Sequence, residues 1–338
     1  MVALDPIPLD GMPPGPTAPV TGHGPRGAGR LLAARAGEFV LLLLAVSVAS
    51  FGLLGITRGD AAVAAVQATG VAVTPQRVAA MRMRLDLDDP APVRYLSGLW
   101  RALHGDFGIS LRTGRPVGAE LADRIGPTLT LAVAGAVVAL VVAVTVGLLE
   151  TLVRVRAVRA VLRTVTLILV SLPAFALAFV LVEVLALHAH LLPTGGTGSV
   201  STLVLPALVL GLPAGAGLGR VLSSRLHDAM DQSFVLTARA CGYSRLSCVV
   251  RFALPEAAVT SLVVAGNVFA YLVTGTLVAE VLFGWPGVGD YLIDALDYRD
   301  GYPLQAACLF LALLVIVVRG ATLVVAALID PRAGSGNR

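Results

Sequence analysis

Residues 234–255 read Phe234-Val-Leu-Thr-Ala-Arg-Ala-Cys-Gly-Tyr-Ser-Arg-Leu-Ser-Cys-Val-Val-Arg-Phe-Ala-Leu-Pro255. Phe234, Thr237, Ala238 and Cys241 fall at i, i+3, i+4 and i+7, so they share one face of a short helix that runs into Gly242. A second helical stretch, carrying Arg245 and Arg251, follows and is expected to end at Leu254-Pro255, because the residue before a proline is biased out of the helical region. Together they predict a helix-turn-helix. On either side lie the apolar runs Ser201 to Leu222 and Ala257 to Phe283, each long enough to cross a bilayer core of about 30 Å. The stretch is therefore read as a surface loop between two membrane spans.

Composition agrees. Of 338 residues 57% are hydrophobic and 14% charged, against roughly 25% charged in an ordinary soluble domain, and the mean hydropathy is +0.85. A soluble enzyme and a wholly disordered chain are both excluded by these values. All 25 basic residues are Arg and none is Lys. That excludes a phosphate-binding Walker loop, whose Lys reaches the phosphates, and Schiff-base chemistry. The net charge of +4 is accounted for by Arg between apolar runs, which favours topology over nucleic acid as its explanation. Cys241, Cys248 and Cys308 lack disulfide or metal spacing, so no metal site is expected.

Residues 1–36 hold seven prolines and are expected to be a disordered cytosolic tail. The first span is placed at 37–56, an external subdomain at 57–124, a five-helix core at 125–333 with its cytoplasmic loop at 223–256, and a short tail at 334–338. The core runs are Ile125 to Leu149, Val161 to Leu187, Ser201 to Leu222, Ala257 to Phe283 and Leu304 to Leu328. Arg154, Arg156, Arg159 and Arg163 lie between the second and third spans, and Arg225, Arg239, Arg245 and Arg251 between the fourth and fifth. By the positive-inside rule both loops face the cytoplasm, as do both termini. Gly211, Gly215 and Gly219 share a helix face suited to close approach of a neighbour. Pro173, Pro206 and Pro213 mark kinks, beside a pathway or as plain irregularities.

Further along the chain stand Gly105-Asp-Phe-Gly-Ile-Ser-Leu-Arg-Thr-Gly-Arg-Pro116, Ser171-Leu-Pro-Ala-Phe175, Leu192-Pro-Thr-Gly-Gly196, Glu280-Val-Leu-Phe-Gly-Trp-Pro-Gly-Val-Gly289 and Asp330-Pro-Arg332. With Gly242, nine intervening residues and Phe252-Ala-Leu-Pro255, the set resembles, in order, the oligopeptide/dipeptide permease family of ABC importers, over roughly residues 37–333. Residues 237–255 are similar to the family's EAA loop. Three positions depart from its pattern: Leu236 replaces the acidic residue, Cys241 a usual Lys, and Gly301 interrupts the usual Asp-Tyr-Pro.

The resemblance implies an all-α polytopic membrane protein with six transmembrane helices, the type I ABC importer permease fold and a small external subdomain. It implies a permease subunit in the cell membrane, taking up di- or oligopeptides delivered by an extracytoplasmic binding protein. A second homologous permease would complete a heterodimer. Two ATPase subunits would bind ATP and Mg, with no cofactor and no catalysis in this chain. Contact with the ATPase is implied for Phe234, Thr237, Ala238, Arg239, Cys241, Gly242, Arg245, Leu254 and Pro255, with Arg239, Arg245 and Arg251 either meeting acidic side chains or only fixing topology. Glu280, Trp285, Pro286 and Gly287 are implied at an external gate.

Thr260, Asn267, Tyr271 and Thr274 share one face of the fifth span and either line a cavity or join helices by hydrogen bonds. Arg319 lies about 16 Å from the inner end of the sixth span at about 1.5 Å per residue. A lipid-facing Arg there would cost roughly 2.5–3.5 kcal/mol, so a water-filled cavity, an acidic partner or snorkelling to the surface must relieve it. Alternatives are a nickel or other small-solute ABC permease, an ion-coupled secondary transporter relying on Glu183, and a membrane scaffold.

Overall fold

A computed structural model describes residues 26–56, 61–68, 71–84, 88–298 and 300–329. Residues 43–338 form one unit and residues 1–42 another. The first helix, α1 (Arg26–Ile56), begins eleven residues before the expected boundary at Gly37. The reason is local. Pro25 is the last proline before Pro75, and Ala, Leu and Arg, which are good helix formers, fill most of 26–36. The rest of the tail, 1–25, lies outside the described residues, as does 330–338 with its Asp330-Pro-Arg332.

The segment expected outside the membrane folds into α2 (Ala61–Ala68), α3 (Pro75–Arg84) and α4 (Ala91–Leu103), then a loop pinned by an antiparallel bridge between Ile109 and Pro116. It ends at Pro116, not Arg124. The next helix, α5 (Val117–Leu152), continues eight residues outward of the predicted start. Glu120, Asp123 and Arg124 make that stretch look like loop in the sequence, but each is partnered: Glu120 by Tyr291, Asp123 by Arg115 and Arg124 by Asp290.

The third expected span is not one helix. It is α6 (Arg156–Ser171) and α7 (Ala174–Leu181), the latter running on as a π-helical turn through His188, and the two are bent by 113° at Leu172-Pro173. Leu172 is extended, at ψ 129°, as a residue before proline should be. Then come α8 (Val200–Met230), the short α9 (Ser233–Ala240) and α10 (Arg245–Cys248), α11 (Leu254–Phe283), α12 (Val288–Asp297) and α13 (Gly301–Ile329). Among the described residues four helices are long and apolar enough to span: α5, α8, Val264–Phe283 of α11 and Gly301–Thr322 of α13. The bent pair makes a fifth, and α1 offers the shorter apolar stretch Gly37–Gly52. The expected six straight spans are thus four, one broken and one short.

The centre of the bundle is a parallel crossing of α5 and α8. Gly211, Gly215 and Gly219 do share a face, and it lies on α5. A side chain at Gly211 would meet Val138 and the Gly135 carbonyl, one at Gly215 the Ala139 carbonyl at 2.6 Å, and one at Gly219 Val146. The facing helix answers with its own buried row, Gly135, Ala139, Ala143 and Gly147, also spaced by four. With apolar lipid as the alternative neighbour, such close backbone packing supplies the attraction that burial from water supplies elsewhere. Around this seam Leu131, Leu205, Val209, Leu272, Phe283 and Trp285 form the main core. Below it Leu222, Leu226, Val249, Ala253 and Ala257 make a second cluster that holds the turn after α10 and the start of α11 to the Arg-rich end of α8.

Candidate functional site

The loop between α8 and α11 is the helix-turn-helix that the sequence predicts, with one difference. Cys241 caps α9, Gly242 stands at φ 88°, and the amides of Gly242 and Tyr243 return to the carbonyls of Arg239 and Ala238. This is a Schellman motif, which needs a left-handed residue after the cap. Nothing lies within 4 Å of a side chain built at Gly242, so backbone conformation, not close approach, requires the glycine. Ser244 then caps α10 through the Ser247 amide at 3.2 Å.

The difference is at Leu254-Pro255, which starts a helix instead of ending one. A π-helical turn, Val249–Ala253, joins α10 to α11, and Pro255 occupies the first turn of α11, where a missing N–H is tolerated. Leu254 packs against the cluster beneath α8.

Two of the proposed contact residues also turn away from the surface. Ala238 is buried with Val235 and Cys248 against Met230 and Phe252, because positions 235 and 238 form the inner edge of α9. Arg245 directs its guanidinium to the Thr151 carbonyl at 2.7 Å, capping the C-terminal end of α5. What the loop does expose is Phe234, Leu236, Tyr243, Leu246 and Val250, together with Thr237, Arg239 and Cys241. Leu236, the departure from the acidic pattern, thus adds to an exposed apolar surface.

On α11 the polar face is distinct. Asn267, Tyr271 and Thr274 are exposed, Tyr271 at 72%, whereas Leu272 is 2% exposed and Val268 packs on the core. Thr274 satisfies its hydroxyl on the Ala270 carbonyl at 3.2 Å. The Thr260 side chain lies outside those described. Arg319 on α13 is exposed and has no hydrogen bond or ion pair among the described residues. Glu183, the carboxylate a secondary transporter would need, sits exposed in the π-turn after α7, 3.3 Å from His188.

The outer motif is a cradle rather than an open mouth. Glu280, near the end of α11, is fully buried. Its carboxylate accepts the Gly289 amide at 2.7 Å, the Asp290 amide at 3.2 Å and the Thr128 hydroxyl at 2.8 Å. The amides are the unpaired donors at the N-terminal end of α12, so Glu280 caps that helix from a distance. A side chain at Gly287 would collide with the Glu280 carboxylate, which explains why glycine stands there. Trp285 donates from Nε1 to the Pro127 carbonyl at 3.0 Å, joining α11 to α5, and only Pro286 of the four implied gate residues is exposed.

Beside this cradle lies a second carboxylate site that sequence reading missed. Asp300, 3% exposed, accepts through Oδ2 the Ser110 hydroxyl at 2.8 Å and the amides of Leu111 at 2.6 Å and Arg112 at 3.2 Å. Arg112 also reaches Asp294 at 3.2 Å. Burial pushes the Asp300 carboxyl above the ordinary carboxylate value, partly opposed by these hydrogen bonds. Burial and the bond to Glu120 likewise push up the phenol of Tyr291. Asp300 clasps residues 110–112 to the junction of α12 and α13. Two motifs read separately, the stretch from Gly105 to Pro116 and the one around Asp300, are therefore halves of one contact. Their separation of 190 residues hid the pairing.

The chain is similar to known proteins. Residues 135–335 match the model of the binding-protein-dependent transport system inner membrane component. A Brucella suis protein whose name marks it as a candidate peptide permease is 34% identical over 302 residues, covering 86% of this chain and 94% of the relative. The glutathione transport system permease protein GsiC of Escherichia coli K12 is 32% identical over 289 residues, with the same coverage. The MetNI methionine ABC transporter in an inward-facing conformation matches at TM-score 0.54 and 16% identity, over 62% of this chain and 96% of that one. That likeness concerns the fold, and the alignment to GsiC and its kind extends through nearly their whole length. A bundle of apolar helices built on the α5 and α8 seam, with the glycine-turned loop at its Arg-rich end, belongs to the family of binding-protein-dependent transport system inner membrane components.

Proposed function

We propose that this chain is the permease subunit of an ABC importer whose cargo is di- or oligopeptides. The observation that carries the cargo is the likeness, over 94% of their length, to relatives named for peptides and for glutathione, itself a tripeptide. The Arg-rich end faces the cytoplasm, with both termini on that side, and α12 with the Asp300 clasp faces outward. A substrate-binding protein delivers peptide there. A second, homologous permease completes a heterodimer. The exposed Phe234, Leu236, Thr237, Arg239, Cys241 and Leu246 rest against one of two ATPase subunits, which hold ATP and Mg. Gly242 fixes the angle of that contact, while Ala238, Arg245, Leu254 and Pro255 hold the loop to α5 and α8 from beneath. Asn267, Tyr271, Thr274 and Arg319 face the passage, where the guanidinium is solvated and draws a peptide carboxylate. Glu280, Trp285 and Gly287 act at the outer end as a brace for α12, with Pro286 at its surface.

The test is uptake of radiolabelled trialanine by cells carrying or lacking this gene, with nickel uptake measured in parallel. Loss of tripeptide uptake on deletion, restored by the gene, is the expected result. Loss of nickel uptake with peptide uptake unchanged would replace peptides by nickel as the cargo.

A further inference from the structure

At the Arg-rich end, α5, α6 and α8 line an open-sided cavity of about 390 Å³, within the roughly 300–1,000 Å³ of small-ligand sites. Glu150 from α5, Arg163 from α6 and a row on α8, Arg220, Ser223, His227 and Asp228, line it. Glu150 is 4% exposed, yet its Oε1 has no hydrogen-bond partner and its carboxylate forms no ion pair among the described residues. Burying a carboxylate without a partner is costly, by several kcal/mol. Two guanidiniums stand in the same wall, and neither Arg163 nor Arg220 has a partner among the described residues. The wall thus holds one buried carboxylate oxygen without a partner and two exposed guanidiniums. His227 uses Nδ1 on the Ser223 carbonyl at 2.7 Å. A carbonyl only accepts, so that nitrogen carries a proton. Asp228 is engaged by Arg225 at 3.9 Å, which leaves Glu150 facing Arg163 and Arg220, so a complementary ligand carries an ammonium for the carboxylate and an anionic group for the two guanidiniums.

We propose that this cavity binds a small zwitterion, its ammonium on Glu150 and its anionic group between Arg163 and Arg220. Under the import reading, on which its cytoplasmic orientation rests, the zwitterion is the transported peptide held at the discharge end of the permease. The headgroup of phosphatidylethanolamine shares the chemistry and is the other source.

The test uses the full chain with its co-purifying subunits in nanodiscs of phosphatidylglycerol, which offers no ammonium, and no binding protein. Equilibrium binding is measured for trialanine, N-acetyl-trialanine and phosphoethanolamine. Trialanine should bind, acetylation should weaken it at least about tenfold, as expected for a lost charge-assisted hydrogen bond, and Glu150→Gln should remove that acetylation penalty. Arg220→Gln should weaken acetylated and free peptide alike. Binding of phosphoethanolamine alone, with the same dependence on Glu150, keeps the site and assigns it to lipid. Equal affinity of the wild-type complex for free and acetylated peptide, with phosphoethanolamine unbound, overturns the proposal without any variant having to fold. Cellular uptake separates the two readings: uptake without nanodisc binding sinks the cavity alone, and binding without uptake sinks peptide import alone.

Discussion

At the scale of single residues, backbone conformation and buried carboxylates decide most. A β-branched side chain at the left-handed Gly242 costs roughly 1–2 kcal/mol, and the Schellman turn it would strain sets the direction of α9. Gly242→Val is expected to abolish substrate-stimulated ATP hydrolysis by the purified complex while membrane insertion persists. Gly242→Asn, which tolerates that conformation, should retain most of the stimulation. Asp300 gives a pH dependence whose sign follows from its raised value. Above the ordinary carboxylate value of 3.8 the native state holds this proton more tightly than the unfolded chain does. Stability therefore falls as pH rises through the native value and recovers on acidification through the same window. Melting of the detergent-solubilised protein, compared between wild type and Asp300→Asn across pH 4 to 8, should show this slope in the wild type and its loss in the variant.

At the scale of elements, the α5 and α8 seam carries the bundle. A branched side chain at Gly215 would meet the Ala139 carbonyl and Val142, backbone and stiff side chain that have no room to yield. Gly217, two residues on and facing the other way, has only Val170 at 3.9 Å. Gly215→Val should lower thermal stability by about 3 kcal/mol or prevent assembly, in line with overpacking elsewhere, whereas Gly217→Ala should leave it within about 0.5 kcal/mol. Fluorescence-detected size-exclusion melting of the two proteins checks the contrast. An equal loss in both would mean that the seam does not hold the helices. The bend at Leu172-Pro173 is the other decision at this scale, since the proline cannot donate the N–H that would close the helix through the bend.

At the scale of the whole molecule, the exposed row on α11 and the unpartnered Arg319 on α13 bear on the passage. Single Cys substitutions at Asn267, Tyr271 and Thr274, in a background with Cys241, Cys248 and Cys308 replaced, should react with a small polar thiol reagent. Those at Val268 and Leu272 should react much less, and equal labelling of both sets would defeat the assignment. For Arg319, transport by Arg319→Gln and Arg319→Leu is the measure. Attraction of a peptide carboxylate predicts a selective loss for peptides with a free C-terminus. A pair with the second permease predicts poor assembly for every substrate, and normal uptake by the Leu variant would sink both.

The sequence by itself determined the membrane class, the order of the apolar segments, the glycine face of α8 and the helix-turn-helix closed by Gly242. Each of these depends on a local period or on the conformational needs of one residue, and both are written into neighbouring positions. Local reading also had limits near charge. Arg26 to Ala36 and Val117 to Arg124 read as non-helical because prolines and charged residues mark them. The first stretch lies beyond the last proline of the tail, Pro25, where its helix formers take over, and for the second only the folded chain shows that Glu120, Asp123 and Arg124 are paired. The inward turn of Ala238 and the capping of α5 by Arg245 required knowing which neighbour each residue meets. So did the cradle of Glu280, the clasp of Asp300 on residues 110–112 and the isolation of Glu150. Arg245 with Thr151, Glu280 with Thr128 and Asp300 with Ser110 join positions from about 90 to 190 residues apart, and Glu150 Oε1 is left without a partner. Tertiary structure alone decides them, because a carboxylate's role is set by the donors that surround it and the water it has lost, and neither is a property of its neighbours in the chain.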